Sequence, residues 1–399
     1  MNAKLPPPGT IDEKLQERVA MLFNGDEVYG IGTILKLYAT GLPRMSFVAP
    51  GDGPMVDWLK ANGNRVDVVP GLVNFHEGGP SIFTVLKMPA VMRKARRTAE
   101  KFDELLRPRG IQIVHAQWRA QQITAGFMHK NGYRSVWQIN NTMNRNRLLG
   151  LGMKLNHRLA KWGADLLLPA SDAIGRNWDG CGVPSITIRN AAVPIFSQPN
   201  ELPEQPIRCL VAGRLEHSKG HHLAVEAVVN ARRAGFDVRL DIYGGPVENN
   251  LYANELQLSI AAAGCENVIR LQGFDADLRH KHQQYHLGLQ CRITPEPCSL
   301  WVCETLVDGL PVIASATGGT PELVEDGVTG LLFRGGDAAD LSEKLIQLAR
   351  DPRRLGEMRV EAYARGNRSF TLDRFVRDTL SAYARLSPKA KLSESLARI

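Results

Sequence analysis

Short apolar runs alternate with amphipathic helical stretches along most of this chain, and that alternation most constrains what it can fold into. In the first half the runs fall at residues 19–23 (VAMLF), 45–50, 64–70, 111–117, 135–141, 164–171 and 185–193. They read as strands of a parallel sheet covered on both faces. Helical patterns lie between them, among them 54–63, 119–132 and 151–163. Strands separated by helices in this way argue a doubly wound α/β domain. The rhythm breaks once, at 197–206 (SQPNELPEQP), where three prolines and little apolar content mark a linker. It then restarts, with strands expected at 207–213, 237–245, 267–273, 287–292, 311–315 and 328–333.

A chain of 399 residues is too long for one core, so two α/β domains are expected. The reading is a polar leader at 1–18, a first Rossmann-like domain at 19–200 and a linker at 201–206. A second Rossmann-like domain follows at 207–370, and a closing helix within 371–399 is expected to pack back toward the first. In open α/β sheets ligands sit beyond the carboxyl ends of the strands, so two facing domains imply a cleft.

The stretch 296–322 (EPCSLWVCETLVDGLPVIASATGGTPE) is the richest in chemistry. Glu296 precedes an expected helix over 300–309 and Glu304 lies inside it. A buried strand and the pair Gly318-Gly319 follow. Acids, a helix start and a Gly-Gly turn suit a ligand with phosphate and hydroxyl groups; the bland alternative is an ordinary crossover with surface acids. Two further loops follow strand ends in the same half. In GRLEHSKG (213–220), Arg214 and Lys219 sit near a helix start, where amides and cations favour a diphosphate. In YGGPVENN (243–250), Gly244 and Gly245 permit close backbone approach. In the first half, Gly30 and Gly32 read as a turn between strand and helix, but without the third glycine of a dinucleotide fingerprint.

The net charge of +8 is unevenly placed. Residues 1–200 hold 25 Lys/Arg against 15 Asp/Glu, and the remainder 24 against 26. The densest run, 87–101, reads after Pro89 as a helix. Val91, Met92, Ala95 and Phe102 would face inward, and Arg93, Lys94, Arg96 and Arg97 outward. That face is either simply solvated or meets anionic lipid headgroups or a phosphate-bearing partner. Nucleic acid is not expected, because no aromatic residues interleave the run. None of the six cysteines forms a CxxC, which fits reduced thiols in the cytoplasm. No apolar run has membrane-spanning length, and residues 1–18 lack the apolar core of a signal peptide.

Several tempting features are set aside. Asp275-Ala276-Asp277 follows a strand and starts a helix, where Asp caps are common. His221 and His222, like His280, His282 and His286, lack partners at metal spacing and read as helix surface. No metal is expected. His115 ends a strand beside Gln117, Trp118 and Arg119, and is either a cleft-lining residue or a packed strand-end histidine.

Together GRLEHSKG, EPCSLWVCE, GLPVIASATGGTPELVEDGVTGLLF and the closing helix resemble the retaining glycosyltransferases of family four, which have the two-domain GT-B fold. Glu296 and Glu304 match that family's E-x7-E motif. The resemblance spans about 19–387 and is most specific over 207–335. It implies that Arg214 and Lys219 grip the diphosphate of a nucleotide sugar, that Glu304 holds the ribose hydroxyls and that Glu296 faces the donor sugar. It also implies that the amides near Ser299, Leu300 and Trp301 meet the phosphates. Gly245 would flank the donor, and Gly30 and Gly32 would close over it. The acceptor side would draw on His115, Trp118, Asn140 and Asn141. Relatives often carry phenylalanine and glycine where Cys298 and Ser299 stand, and a histidine near Asn140 or Asn141. No cofactor is implied beyond the nucleoside-diphosphate sugar, and the acceptor would be a sugar or lipid-linked glycan. The implied activity is transfer of a hexose-type sugar to a hydroxyl, in polysaccharide or glycolipid assembly, in the cytoplasm or at the inner face of the membrane. A nucleotide-sugar epimerase of the same fold and a non-catalytic sugar-nucleotide-binding protein are the alternatives.

Overall fold

The computed structural model describes residues 13–27, 30–70, 82–141, 151–201 and 206–386. Residues 1–12 of the expected leader, 202–205 of the expected linker and 387–399 at the C-terminus lie outside the described residues. The chain forms two compact units. The first runs to Ile188 and resumes at Asp373, and the second is Arg189–Leu372.

The first unit contains β1 (Val19–Leu22), α1 (Gly30–Gly41), β2 (Ser46–Ala49), α2 (Pro54–Ala61), β3 (Arg65–Val68) and α3 (Ile82–Leu106). It continues through β4 (Ile113–Ala116), α4 (Arg119–Lys130), β5 (Arg134–Ile139), α5 (Leu151–Gly163), β6 (Leu166–Pro169) and α6 (Asp172–Gly175). Its strands pair in parallel in the order β3-β2-β1-β4-β5-β6. Every residue of β1, β2, β4 and β6 is buried, which explains their apolar character, broken only by Ser46 in β2 and His115 in β4.

The second unit repeats the plan with β7 (Ile207–Ala212), α7 (His221–Arg233), β8 (Val238–Tyr243), α8 (Leu251–Ala262), β9 (Ile269–Gly273) and α9 (Leu278–Lys281). Then come β10 (Leu287–Gln290), α10 (Leu300–Val307), β11 (Val312–Ser315), α11 (Thr320–Leu323), β12 (Gly330–Phe333), α12 (Ala338–Ala349) and α13 (Pro352–Ser369), and α14 (Leu372–Ala384) follows them in the chain. The sheet order is β12-β11-β10-β7-β8-β9, again all parallel. In each sheet the chain moves outward on one side, then returns to the centre and continues on the other. The strand order reverses between β1 and β4, and between β7 and β10. Those switch points open a crevice at the carboxyl ends of the strands.

Four elements differ from the sequence reading. Residues 185–193 are not a strand: Ser185 makes one isolated bridge with Leu167, and the Ile186 and Ile188 amides bond Leu167 and Pro169. The chain then leaves the first unit, because the Arg189 guanidinium bonds Glu322 (2.9 Å) and the Asn190 side-chain amide bonds the Cys298 carbonyl (2.7 Å). Residues 189–200 therefore belong to the second unit, not to the first domain assigned over 19–200. The basic helix starts at Ile82 and runs through Pro89, which is exposed, so water can take the carbonyl its ring leaves unbonded. The helix expected over 276–285 is one turn, α9, followed by a tighter turn at His282–Gln284.

The fourth, α13, has no counterpart in the sequence reading. Its sequence is largely polar, and its inward face is only Leu355, Met358, Arg359, Ala362 and Gly366. Asp351 caps it by accepting the Arg354 amide, with Pro352 in the first turn. A Cβ on Gly366 would lie 2.4 Å from the Leu306 backbone, so glycine lets α13 lie directly on α10. Arg359 is buried, and it donates to the carbonyls of Tyr285 and Gln283 and to Asn200.

From Asp373 onward α14 belongs to the first unit. The Tyr383 hydroxyl lies 2.6 Å from His115 Nδ1, and the Phe375 ring meets Tyr38 edge-on at 4.8 Å. All six cysteines are buried, and none forms a disulfide. No helix among the described residues is long and apolar enough to cross a membrane.

Candidate functional site

The carboxyl edge of the second sheet gathers most of the residues singled out from sequence, through close backbone contacts that require glycine. Gly213 follows β7 and Gly244 follows β8. A Cβ on Gly244 (φ +153°) would lie 1.8 Å from the Gly213 carbonyl oxygen, so the two loops touch only because it is glycine. Gly220 (φ +71°) starts α7, and a Cβ there would lie 2.0 Å from the Cys291 carbonyl oxygen just past β10. The loop carrying Lys219 is thus pressed against β10 across the switch point.

Lys219 Nζ lies 3.9 Å from Glu296 Oε2. The Arg292 guanidinium donates to that same oxygen at 2.9 Å, and its Nε donates to Thr294. The Gly318-Gly319 turn fixes the Glu296 backbone. A Cβ on Gly318 (φ +59°) would lie 2.2 Å from the Glu296 carbonyl oxygen, which accepts the Gly319 amide at 2.7 Å. Two cations and one carboxylate therefore meet at a single point on the sheet edge. Burial holds the Lys219 ammonium below its ordinary range, an effect that Glu296 opposes.

Ser299 is the N-cap of α10, and its hydroxyl accepts the Val302 amide. The side chain that departs from relatives is thus spent on the helix start. Cys298 is equally committed, because its sulfur accepts the Asn190 amide at 3.4 Å. The Trp301 ring covers Gly288, where a Cβ would lie 2.9 Å from it, and joins Leu210, Tyr243, Tyr285 and Leu310. Leu300 and Glu304 are partly exposed one turn apart on α10. Desolvation raises the Glu304 carboxyl to about 7; Arg279 lowers it and Asp308 raises it. Asp308 is fully buried and engaged by Arg279 (2.5 and 3.0 Å) and His282 (2.9 Å).

Other predicted residues are placed less directly. Arg214 is exposed and pairs with Glu216 on its own loop (3.2 Å). Gly245 is partly exposed, and it is Gly244 that makes the close approach. Asp275 accepts Lys281 Nζ (2.5 Å) and the Asp277 amide. His221, His282 and His286 are buried, contrary to the surface reading: His221 packs near the Tyr252 ring, His282 bonds the buried Asp308, and His286 accepts the Arg208 amide. Among the described residues no cluster of three or more His, Cys, Asp or Glu is placed to hold a metal.

The first unit has its own switch-point edge. The turn after β1 is made by Gly25 (φ +99°), while Gly30 and Gly32 lie in the first turn of α1. A Cβ on Gly32 would lie 2.7 Å from the Glu27 carbonyl oxygen, so this glycine serves close packing. Glu27 is buried and its carboxylate accepts the amides of Asn24 and Gly25 (2.7 Å each) and the Trp118 indole N–H (3.0 Å). Desolvation raises its pKa against those bonds. Asn140 donates to Gln117 (3.1 Å) and accepts from Gln138 (3.3 Å), and Asn141 is exposed. His115 lines no open surface: it is fully buried between Tyr38 and Tyr383, and desolvation lowers its pKa to about 3. Arg93, Lys94, Arg96 and Arg97 are all exposed on α3.

Sequence reading missed Arg292 and Glu27. A cation two residues past a strand and four before Glu296 was the signal for the first. Glu27 carried none, because its partner Trp118 lies 91 residues away in sequence and reaches it only in the fold.

Residues 193–367 match the model of the family Glycosyl transferases group 1. The chain is 28% identical over 198 residues to the amylovoran biosynthesis glycosyltransferase AmsK of Erwinia amylovora, covering 46% of this chain and 47% of that protein. It is 30% identical over 155 residues to a GDP-mannose-dependent alpha-(1-6)-phosphatidylinositol monomannoside mannosyltransferase of Mycolicibacterium smegmatis, covering 37% and 40%. The chain thus spans about half the length, or less, of the curated relatives it matches. The crystal structure of Anabaena Alr3699/HepE in complex with UDP aligns with 92% of this chain and 100% of that one, at TM-score 0.76 and 19% identity. A glycosyltransferase from Rickettsia africae aligns with 93% and 99%, at TM-score 0.76 and 17% identity. The fold is the two-domain α/β GT-B fold.

Proposed function

We propose that this protein is a retaining glycosyltransferase that moves a hexose-type sugar from a nucleoside-diphosphate sugar to a hydroxyl acceptor. The observation that carries the reading is the meeting of Lys219, Arg292 and Glu296 at the switch point of the second sheet. Such an edge suits a diphosphate, with cations for the phosphates and a carboxylate for sugar hydroxyls. The match over 193–367 lies on these same residues. In this reading Lys219, Arg292, Arg214 and the amides at Ser299, Leu300 and Trp301 receive the charge that grows on the leaving diphosphate. Gly245 flanks the donor, Glu304 takes the ribose hydroxyls, and Glu296 faces the donor sugar. The anomeric carbon–oxygen bond to phosphate breaks as the acceptor oxygen bonds the same face. The acceptor proton passes to the departing phosphate oxygen, with no metal in the step. Trp118, Asn140 and Asn141 serve the acceptor, while buried His115 supports them from beneath.

The assembly of a polysaccharide or glycolipid in the cytoplasm, at an anionic membrane face met by Arg93, Lys94, Arg96 and Arg97, completes the proposal. The relative AmsK is named for amylovoran biosynthesis, which supports the polysaccharide side of it. Thermal-shift titration with UDP, GDP and ADP tests the donor site. One of them should raise the melting temperature of the wild type and fail to raise that of Lys219→Ala. A wild type indifferent to all three, and inert toward their sugar conjugates, would sink the reading.

A further inference from the structure

The carboxyl edge of the first sheet presents three uncharged polar groups at its surface, each held by a buried polar partner. The partly exposed Trp118 indole donates its N–H to Glu27, whose carboxylate is fixed by the Asn24 and Gly25 amides. The partly exposed Asn24 accepts from Gln121, which is fully buried. The partly exposed Asn140 donates to Gln117, which is also buried. Surface amides and indoles usually turn freely, and fixing them costs side-chain entropy. A ring and two planar amides fixed at one switch-point edge are pre-organised for a ligand.

The groups themselves say which ligand. An indole face takes up the apolar C–H face of a pyranose ring, and amide side chains match its hydroxyls with both a donor and an acceptor. The Glu27 carboxylate is turned inward onto backbone amides and Trp118, so it is spent on holding the ring, while the neighbouring Asp26 is exposed. We infer that Trp118, locked by Glu27, is the stacking floor of an acceptor subsite that recognises a sugar ring, with Asn24 and Asn140 as its hydroxyl partners. This deepens the glycosyltransferase reading and rests on it. Glu27 acts through Trp118 and is a positioning residue.

Saturation-transfer NMR on the full chain, with the methyl glycosides of glucose, mannose and galactose as probes, tests this. Each is added with the nucleoside diphosphate that stabilises the protein. At least one glycoside should receive saturation, strongest on the C–H groups of one ring face. Trp118→Ala should weaken that glycoside about tenfold, Trp118→Phe less, and Glu27→Gln to a level between wild type and Trp118→Ala. Nucleoside-diphosphate affinity, measured by calorimetry on the same samples, should stay the same in all three variants. That affinity also shows that each variant is folded, and Trp118→Phe keeps a ring in place should the alanine variant fail. Equal saturation in wild type and Trp118→Phe and Trp118→Ala overturns the inference. So does a wild type that binds nucleoside diphosphate but none of the glycosides. Failure to bind any nucleoside diphosphate would instead refute the reading on which it rests.

Discussion

Glu304 should weaken the folded protein while serving the donor, and the two effects can be measured on one variant. Its carboxyl titrates near 7 in the folded chain, raised from 4.5 chiefly by desolvation. A carboxyl with a raised folded value binds its proton more tightly when folded than when unfolded. Below about pH 4.5 both states are protonated and the group is neutral toward stability. Between about pH 4.5 and 7 the unfolded carboxyl has lost its proton while the folded one keeps it, so stability falls across that window and levels off above it. A shift of this size corresponds to a ceiling of about 3 kcal/mol, and partial exposure of the residue lowers the expectation to roughly 1–2. Glu304→Gln keeps the shape and removes the charge. At pH 8 it should raise the midpoint of chemical denaturation by that amount, and at pH 5 it should have little effect. Donor affinity should move the opposite way. Only the ionised carboxylate accepts from both ribose hydroxyls, and it is about tenfold less populated at pH 6 than at pH 8. Wild-type affinity for the nucleoside diphosphate should fall by nearly that factor from pH 8 to 6. Glu304→Gln should bind weakly throughout and show only the ligand's own titration. Parallel pH slopes in the two proteins, or a Gln variant less stable than wild type at pH 8, would refute the reasoning.

Three further outcomes follow from contacts already described. Gly220→Ala places a Cβ against the Cys291 carbonyl in a left-handed backbone, and should cost the second unit at least about 2 kcal/mol by urea denaturation. Arg292→Ala should weaken nucleoside-diphosphate binding about tenfold or more by calorimetry, since a charge-assisted hydrogen bond is worth about 1.5–3 kcal/mol. Cys298→Phe should destabilise the chain by about 1–3 kcal/mol, because it forces a ring into the buried place of a sulfur that accepts the Asn190 amide.

Much of the fold was legible because it rests on local periodicity. A four-residue run such as VAML suits a strand buried on both faces of a covered parallel sheet, and six of the described strands (β1, β2, β4, β6, β10 and β11) are buried along their whole length. Glu296 and Glu304 were legible for the same reason, since their spacing around one helix is a local property. Helix α13 was not, because its inward face is a sparse stripe on a polar helix whose partner, α10, lies about 60 residues away. The fate of 189–200 was equally hidden: Arg189 and Asn190 find Glu322 and Cys298 only once the second unit is folded.

The sites divide along the same line. Sequence alone determined that acids, cations and glycine turns follow the strand ends, where any α/β sheet places its ligand. Tertiary structure decided which of them meet. It brought Arg292 beside Lys219 and Glu296, left Arg214 paired on its own loop, and buried His115 beneath Tyr383. It also closed Glu27 around the indole of Trp118. Strand periodicity acts over a few residues and is written into them, whereas a hydrogen bond across 91 residues depends on topology that no local window contains.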